Sequence, residues 1–306
     1  MKRLLVLAAA LPLVALLTAC GSSAKNDGKV SVVASFYPFA FVAEQVGGDF
    51  VDVQNLTRPG AEPHDLELKP RQVAAVQDAD LVVYERHFQA AVDEAVDQAG
   101  RGKDNTVDAD VELSVLPAQE GAEEEHDDEH DHGDEDPHTW LDPTNMIAMT
   151  KALADRLVSI DPDHADDYRT NAEALVGRLT TLDESFTAGL KTCELRTIVT
   201  SHAAFQYLAA RYDLTQVPIA GVDPTNEPSP SQLGDITELV RDEGVTTIFT
   251  EELVSPDIAD TIAKETGAVT ATLDPIEGLS DETKHDTYLT LMTTNLQTLR
   301  KASSCT

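Results

Sequence analysis

Residues 163–190 read DHADDYRTNAEALVGRLTTLDESFTAGL, and within them Leu175, Leu179, Leu182, Phe186 and Leu190 recur at steps of four, three, four and four. That spacing predicts one continuous helix with a single apolar face. At ~1.5 Å per residue the stretch spans ~42 Å, long enough to bridge two domains. On its N-terminal side the β-branched or apolar runs Val30–Ala34, Val51–Leu56 and Leu81–Tyr84 read as strands. Between and after them, Pro38–Gly47, Arg71–Gln77, Phe88–Gln98 and Asn145–Ile160 read as helices. On its C-terminal side the alternation restarts. Strands are expected at Thr197–Thr200, Gln216–Ala220, Val245–Thr250 and Val269–Leu273, with helices at Ala203–Arg211, Ser231–Asp242, Asp257–Thr266 and Tyr288–Lys301. Alternating strands and helices give mostly parallel sheets covered by helices. The expected fold is therefore α/β, with two Rossmann-like lobes, 30–162 and 191–306, joined by the 163–190 helix. In such folds ligands bind outside the carboxyl ends of the strands, here in the cleft between lobes.

The N-terminus sets the compartment. Lys2 and Arg3 precede an apolar run from Leu4 to Leu17, and Leu17-Thr18-Ala19-Cys20 closes it with small residues. This is the layout of a secretory signal peptide, residues 1–19. The run is shorter than the ~20 residues of a membrane-spanning helix. Its end resembles a bacterial lipobox, which implies cleavage before Cys20 and lipidation of the Cys20 thiol. Residues 20–29, rich in Gly, Ser, Asn and Asp, read as a flexible tether. The formal net charge is −33. Nucleic acid is excluded as a partner by that balance, because phosphate recognition needs clustered Lys and Arg. A cation fits it. Cys193 and Cys305 remain after Cys20. In an oxidising compartment a disulfide between them is expected, two unpaired thiols being the alternative.

Residues 120–136 break the α/β pattern, with 11 acidic residues and with His126, His130 and His132. With Ala122 as the one apolar side chain, the segment is expected to be a mobile surface loop. Its histidines among carboxylates form an auxiliary, weak zinc-collecting element, the alternative being a solvated insert without function.

Four polar residues fall at strand ends or just after them. His64 lies in Gly60-Ala61-Glu62-Pro63-His64-Asp65, His138 in Asp136-Pro137-His138-Thr139-Trp140-Leu141-Asp142-Pro143, His202 in Ser201-His202-Ala203-Ala204-Phe205, and Asp274 in Leu273-Asp274-Pro275. Two come from each half, so all four are able to meet in the cleft. Neutral imidazoles with one carboxylate suit a tetrahedral zinc ion at ~2.0–2.2 Å. Pro63, Pro137 and Pro275 stiffen the backbone beside three of them. Trp140 is expected to bury its ring beside the site.

These segments, in this order, resemble the metal-receptor family of bacterial ABC importers, and specifically its zinc-uptake substrate-binding lipoproteins. The resemblance covers essentially the whole mature chain. It implies two α/β lobes joined by one long helix, with a single metal held by His64, His138, His202 and Asp274. It also implies delivery of that metal to an ABC permease by a monomeric receptor outside the cytoplasm, anchored to the membrane through Cys20. Manganese receptors of the family usually carry a carboxylate where this chain has His202, and nitrogen ligands favour zinc. One departure is Glu85-Arg86-His87, where the family usually has a Gly-containing segment; His87 is read as a surface residue. Asn171 and Glu227-Pro228-Ser229-Pro230 match family positions and read as structural, and His164 and His285 as solvent-exposed. A manganese or iron receptor of the same family and an adhesin-type surface lipoprotein are the alternatives. A zinc hydrolase is disfavoured, because no His-Glu-x-x-His motif is present and four protein ligands leave no position for a reactive water.

Overall fold

The computed structural model describes residues 28–118 and 135–306. The signal peptide, Cys20 and the histidines His126, His130 and His132 lie outside these residues. In chain order the elements are β1 (Val30–Ala34), α1 (Tyr37–Gly47), β2 (Val51–Asn55), α2 (Pro70–Asp78), β3 (Leu81–Tyr84), α3 (Ala90–Gln98), β4 (Thr106–Asp108) and α4 (Ala109–Glu112). A short ribbon of β5 (Leu116–Pro117) and β6 (Glu135–Asp136) follows, then α5 (Pro143–Ile160) and α6 (Ala165–Gly189). The second half contains β7 (Thr197–Thr200), α7 (Gln206–Tyr212), β8 (Thr215–Pro218), α8 (Pro230–Asp242), β9 (Thr247–Thr250), α9 (Asp257–Thr266), β10 (Val269–Thr272) and α10 (Tyr288–Ala302).

Each half is built on a four-stranded parallel sheet, ordered β2-β1-β3-β4 in the first and β10-β9-β7-β8 in the second. The central strands are rich in apolar residues because both of their faces are covered, as parallel strands require. On β1 and β3 successive side chains point to opposite faces. Val32, Ala34, Leu81 and Val83 join the large central core with α1, α5 and α6. Val33, Val82 and Tyr84 pack with Val76 of α2 and with Val92 and Val96 of α3. The second sheet repeats this, with Val199 and Ile248 against α8 and α9 on one face, and Ile198 and Phe249 in the central core on the other.

Helix α6 is the connector. Its 25 residues span ~38 Å. Tyr168, Leu175, Leu179, Leu182 and Phe186 are buried in one cluster with Phe39 and Val42 of α1, Leu153 and Leu157 of α5, and Leu296 and Leu299 of α10. The helix therefore belongs to the core of both lobes. It begins two residues later than the spacing suggests, because Pro162–His164 forms a 3-10 turn ahead of it. Beside this start Asn171 donates to the Val46 carbonyl at 3.0 Å, a structural role as expected. Ser229 and Gln232 form a reciprocal cap on α8, which accounts for the Glu227–Pro230 segment. Cys193 and Cys305 are joined by a disulfide. Beside it the Thr306 N–H donates to the Thr192 carbonyl at 3.2 Å, and the Thr192 hydroxyl donates to the Thr306 carbonyl at 2.6 Å. The chain end is thus fastened to the entrance of β7.

Two expectations are corrected, and one strand is added. Strand β4 goes beyond the sequence reading, since Thr106-Val107-Asp108 offers one apolar side chain; all three residues are nevertheless buried beside β3. The 120–136 segment is not a surface loop to its end. Glu135 and Asp136 pair with Leu116 and Pro117, and Asp136 is fully buried. A run of acids reads as solvated, yet its last member is engaged by the site beyond it. His164 is half-buried rather than exposed, stacked on Phe50 at 4.0 Å with Nδ1 2.7 Å from Asp161.

Candidate metal centre

His138 follows β6 and enters a 3-10 turn, Thr139–Leu141, that leads into α5. The Asp136 Oδ1 atom accepts both the His138 backbone N–H at 2.9 Å and its Nδ1 at 2.7 Å. His202 follows β7 and is held in the same way. The Glu251 Oε1 atom, just past β9, accepts its backbone N–H at 3.2 Å and its Nδ1 at 2.8 Å. A carboxylate is an acceptor, so Nδ1 carries the proton in both rings and Nε2 presents a lone pair. His64 sits in the loop between β2 and α2. Gln89 secures that loop by donating to the Pro63 carbonyl at 3.1 Å, and Gly60 N–H donates to the Leu279 carbonyl at 2.7 Å. The ring of His64 packs edge-on against Phe88, and neither of its nitrogens has a hydrogen-bond partner.

The fourth member is Glu277, in the turn after β10. Its Oε1 lies 3.3 Å from His202 Nε2, 3.4 Å from His138 Nε2 and 3.6 Å from His64 Nε2. The Nε2 atoms of His138 and His202 are 3.2 Å apart. All four ligand atoms lie within 4.8 Å of one another, and all four residues are buried. Among the described residues no other group of His, Cys, Asp and Glu converges in this way. A tetrahedral zinc site with bonds of ~2.0–2.1 Å has ligand–ligand edges of ~3.3–3.4 Å, so the three separations among Glu277, His138 and His202 already match it to about 0.1 Å. Three imidazole lone pairs and a carboxylate oxygen facing one centre repel unless a cation, proton or metal, sits among them. An unpartnered buried polar group costs about 1–3 kcal/mol, and the two ring nitrogens of His64 are in that position.

The electrostatics agree. Burial lowers the His64 pKa, and Glu277 offsets this only in part. For His202 burial also acts downward, but Glu251 and Glu277 outweigh it and hold the imidazole well above its ordinary range. His138 is raised by Asp136 and Glu277 against the same burial. Burial pushes Glu277 up, yet the three imidazoles hold it well below the usual carboxylate range.

The structure brings His64, His138 and His202 together and does not bring Asp274 with them. The Asp274 Oδ1 atom accepts the Ile276 N–H at 2.7 Å, while Oδ2 has no partner. Burial, opposed by that N–H and reinforced by Glu252, Glu277 and Glu251, pushes the Asp274 carboxyl up to about 7. Glu277, one turn past Asp274, is not singled out by the sequence. Glu277 is an acid flanked by Ile276, Gly278 and Leu279, an apolar setting that signals a buried role. Glu251 and Asp136 are not singled out either. The strand-end rule that singles out His202 after β7 applies equally to Glu251 after β9. Trp140 is buried beside His138 as expected, its Nε1 donating to the Pro275 carbonyl at 2.7 Å. His87 is exposed. At the departure beside it, Glu85 is buried and accepts from the Thr139 hydroxyl at 2.9 Å, supporting the turn after His138.

Two α/β lobes, one long connecting helix and a buried cluster of three histidines and one carboxylate in the cleft define a cleft-type metal-binding protein. The chain belongs to the family described as zinc-uptake complex component A, periplasmic, whose model matches residues 32–302. It is 37% identical over 292 residues to the zinc-binding lipoprotein AdcA of Streptococcus pneumoniae, covering 94% of this chain and 58% of that one. The high-affinity zinc uptake system protein ZnuA of Bacillus subtilis is 37% identical over 312 residues, with 97% and 96% covered. Among solved structures, the Zn(II)-bound ZnuA-like domain of S. pneumoniae AdcA superposes with a TM-score of 0.76 at 34% identity, over 90% of this chain and 99% of that domain. The laminin-binding protein Lmb of Streptococcus agalactiae, described as having adhesin and metal-transporting activity, gives 0.78 at 37% identity, over 89% and 99%. The chain thus spans a little over half the length of the pneumococcal lipoprotein and nearly all of the Bacillus one.

Proposed function

We propose that this protein captures Zn2+ outside the cytoplasm and delivers it to an ABC-type permease, as a monomeric receptor held at the membrane by a lipid on Cys20. The observation that carries the reading is the convergence of three imidazole nitrogens and one carboxylate oxygen within 4.8 Å of one another in a buried site. In this reading His64, His138, His202 and Glu277 are the ligands. Lobes 30–162 and 191–306 close on the ion about the 163–190 connector. Three nitrogen donors favour zinc over manganese, which prefers hard oxygen ligands. Four protein ligands fill a tetrahedral shell, so no metal-bound water remains to do hydrolytic chemistry, and the role is capture rather than catalysis. His126, His130 and His132 add weak zinc contacts that raise the local supply.

The test is competitive titration of the chelator-stripped mature protein with zinc and manganese. One tight zinc site per chain, lost in Glu277→Gln and retained when residues 120–134 are deleted, is expected. Equal affinity for both metals, or a tight site that vanishes with the deletion, would overturn the reading.

A further inference from the structure

The turn that presents Glu277 is held in a conformation its sequence does not favour. Ile276 has φ 60, in the left-handed region. A β-branched residue is a genuine outlier there, because its Cβ substituents crowd the backbone. Glycine is the residue expected at such a position, yet Ile276 is fully buried in the central core. Something must over-determine the backbone, and three contacts do so. Asn295 of α10 grips residue 274 on both sides, accepting its N–H at 2.9 Å and donating to its carbonyl at 2.6 Å. Trp140 fixes the Pro275 carbonyl at 2.7 Å. The Asp274 carboxylate then reaches two residues ahead to the Ile276 N–H at 2.7 Å, the side-chain-to-backbone bond by which Asp forms tight turns. The next side chain along is Glu277.

We infer that Asp274 is a positioning residue: its carboxylate closes the turn that keeps Ile276 at positive φ and so aims Glu277 at the three imidazoles. The inference rests on the reading that Glu277 is a ligand, and it assigns Asp274 a role without contact to the metal. The bond to the Ile276 N–H needs an acceptor oxygen and no charge, so an asparagine serves as well. It is also needed only while residue 276 resists the left-handed region.

The experiment measures zinc affinity by competition with a chelator, and the Co2+ absorption spectrum as a report of tetrahedral geometry. The variants are Asp274→Asn, Asp274→Ala, Asp274→Ala with Ile276→Gly, and Glu277→Gln. Asp274→Asn is expected to bind zinc within a few-fold of the parent with an unchanged Co2+ spectrum. Asp274→Ala is expected to weaken binding about 10- to 100-fold, the usual effect of losing a group that orients a ligand. Adding Ile276→Gly should restore most of that affinity even though it empties core volume and lowers the melting temperature, which a merely structural role does not predict. Unchanged affinity in Asp274→Ala overturns the inference. So does loss in Asp274→Asn as complete as in Asp274→Ala with no rescue by glycine, since the carboxylate is then a ligand itself. Should Asp274→Ala fail to fold, Asp274→Asn and the double variant still decide. A Glu277→Gln protein that binds zinc normally sinks the ligand reading instead, whatever Asp274 does.

Discussion

Lowering the pH from 7.5 to 5.5 should weaken zinc binding steeply, and the structure sets the slope. Zinc binds neutral imidazoles through Nε2, so any proton held at Nε2 in the free protein must leave on binding while the Nδ1 proton stays on its carboxylate. The ordinary histidine pKa is ~6.5. His202 lies well above that value and His138 above it, because carboxylates outweigh burial at both rings. Both rings therefore hold an Nε2 proton to higher pH than a free imidazole does, and zinc has to displace it. His64 is lowered and adds little in this window, while Glu277 is held low and stays anionic. The sign follows: raised pKa values in the free protein make protons competitors, so affinity is full at high pH and falls as pH drops. Each proton displaced costs a factor of ten per pH unit, about 1.36 kcal/mol, so one proton over two units gives a loss of about 100-fold. Calorimetry in buffers of different ionisation enthalpy counts the released protons directly, and chelator competition gives the slope. Fewer than about half a proton released at pH 6.5 would refute the assignment of His138 and His202 as ligands whose partners raise them.

Glu251→Ala strips two hydrogen bonds from His202 and should weaken zinc binding about 10- to 100-fold, with Glu251→Gln in between; chelator competition measures both. Leu179→Ala, at a fully buried position of α6, should destabilise the protein by about 2–5 kcal/mol in urea unfolding. Replacing Cys193 and Cys305 together by Ala should lower stability by up to about 4–5 kcal/mol in the chain-entropy model for so long a loop, and leave zinc affinity within a few-fold. A large loss of affinity in that variant would mean that the disulfide reaches the cleft.

The architecture is readable because parallel strands buried on both faces leave unbroken apolar runs such as Leu81-Val82-Val83-Tyr84, and because α6 repeats Leu and Phe at helical spacing. Strand β4 is not readable, since a short polar strand owes its place to its neighbours rather than to its own composition. At the site, the three histidines announce themselves by lying just past strands. Glu277 does not, because its reach depends on Asn295, Trp140 and a left-handed Ile276, and the first two are far away in sequence. Asp274 stands out for a sound reason, an acid at a strand end, yet its oxygen closes a turn. Asp136 is hidden by its company, the last acid of a charged run, yet it pairs with Leu116 and its carbonyl accepts from Tyr207.

That pairing has a practical side. The Tyr207 hydroxyl accepts Leu116 N–H and donates to the Asp136 carbonyl, both at 2.8 Å, and Gln206 donates to the Pro117 carbonyl at 3.1 Å. Helix α7 thereby staples the two ends of the insert side by side, with His138 fixed beyond the staple. The two described ends, Pro117 and Glu135, are thus held together from outside the segment that joins them. Doubling its length costs about 0.6 kcal/mol in closure entropy, a small fraction of a domain's stability. A circularly permuted fluorescent protein spliced there would sit close along the chain to a histidine of the site, turning the protein into a genetically encoded metal gauge.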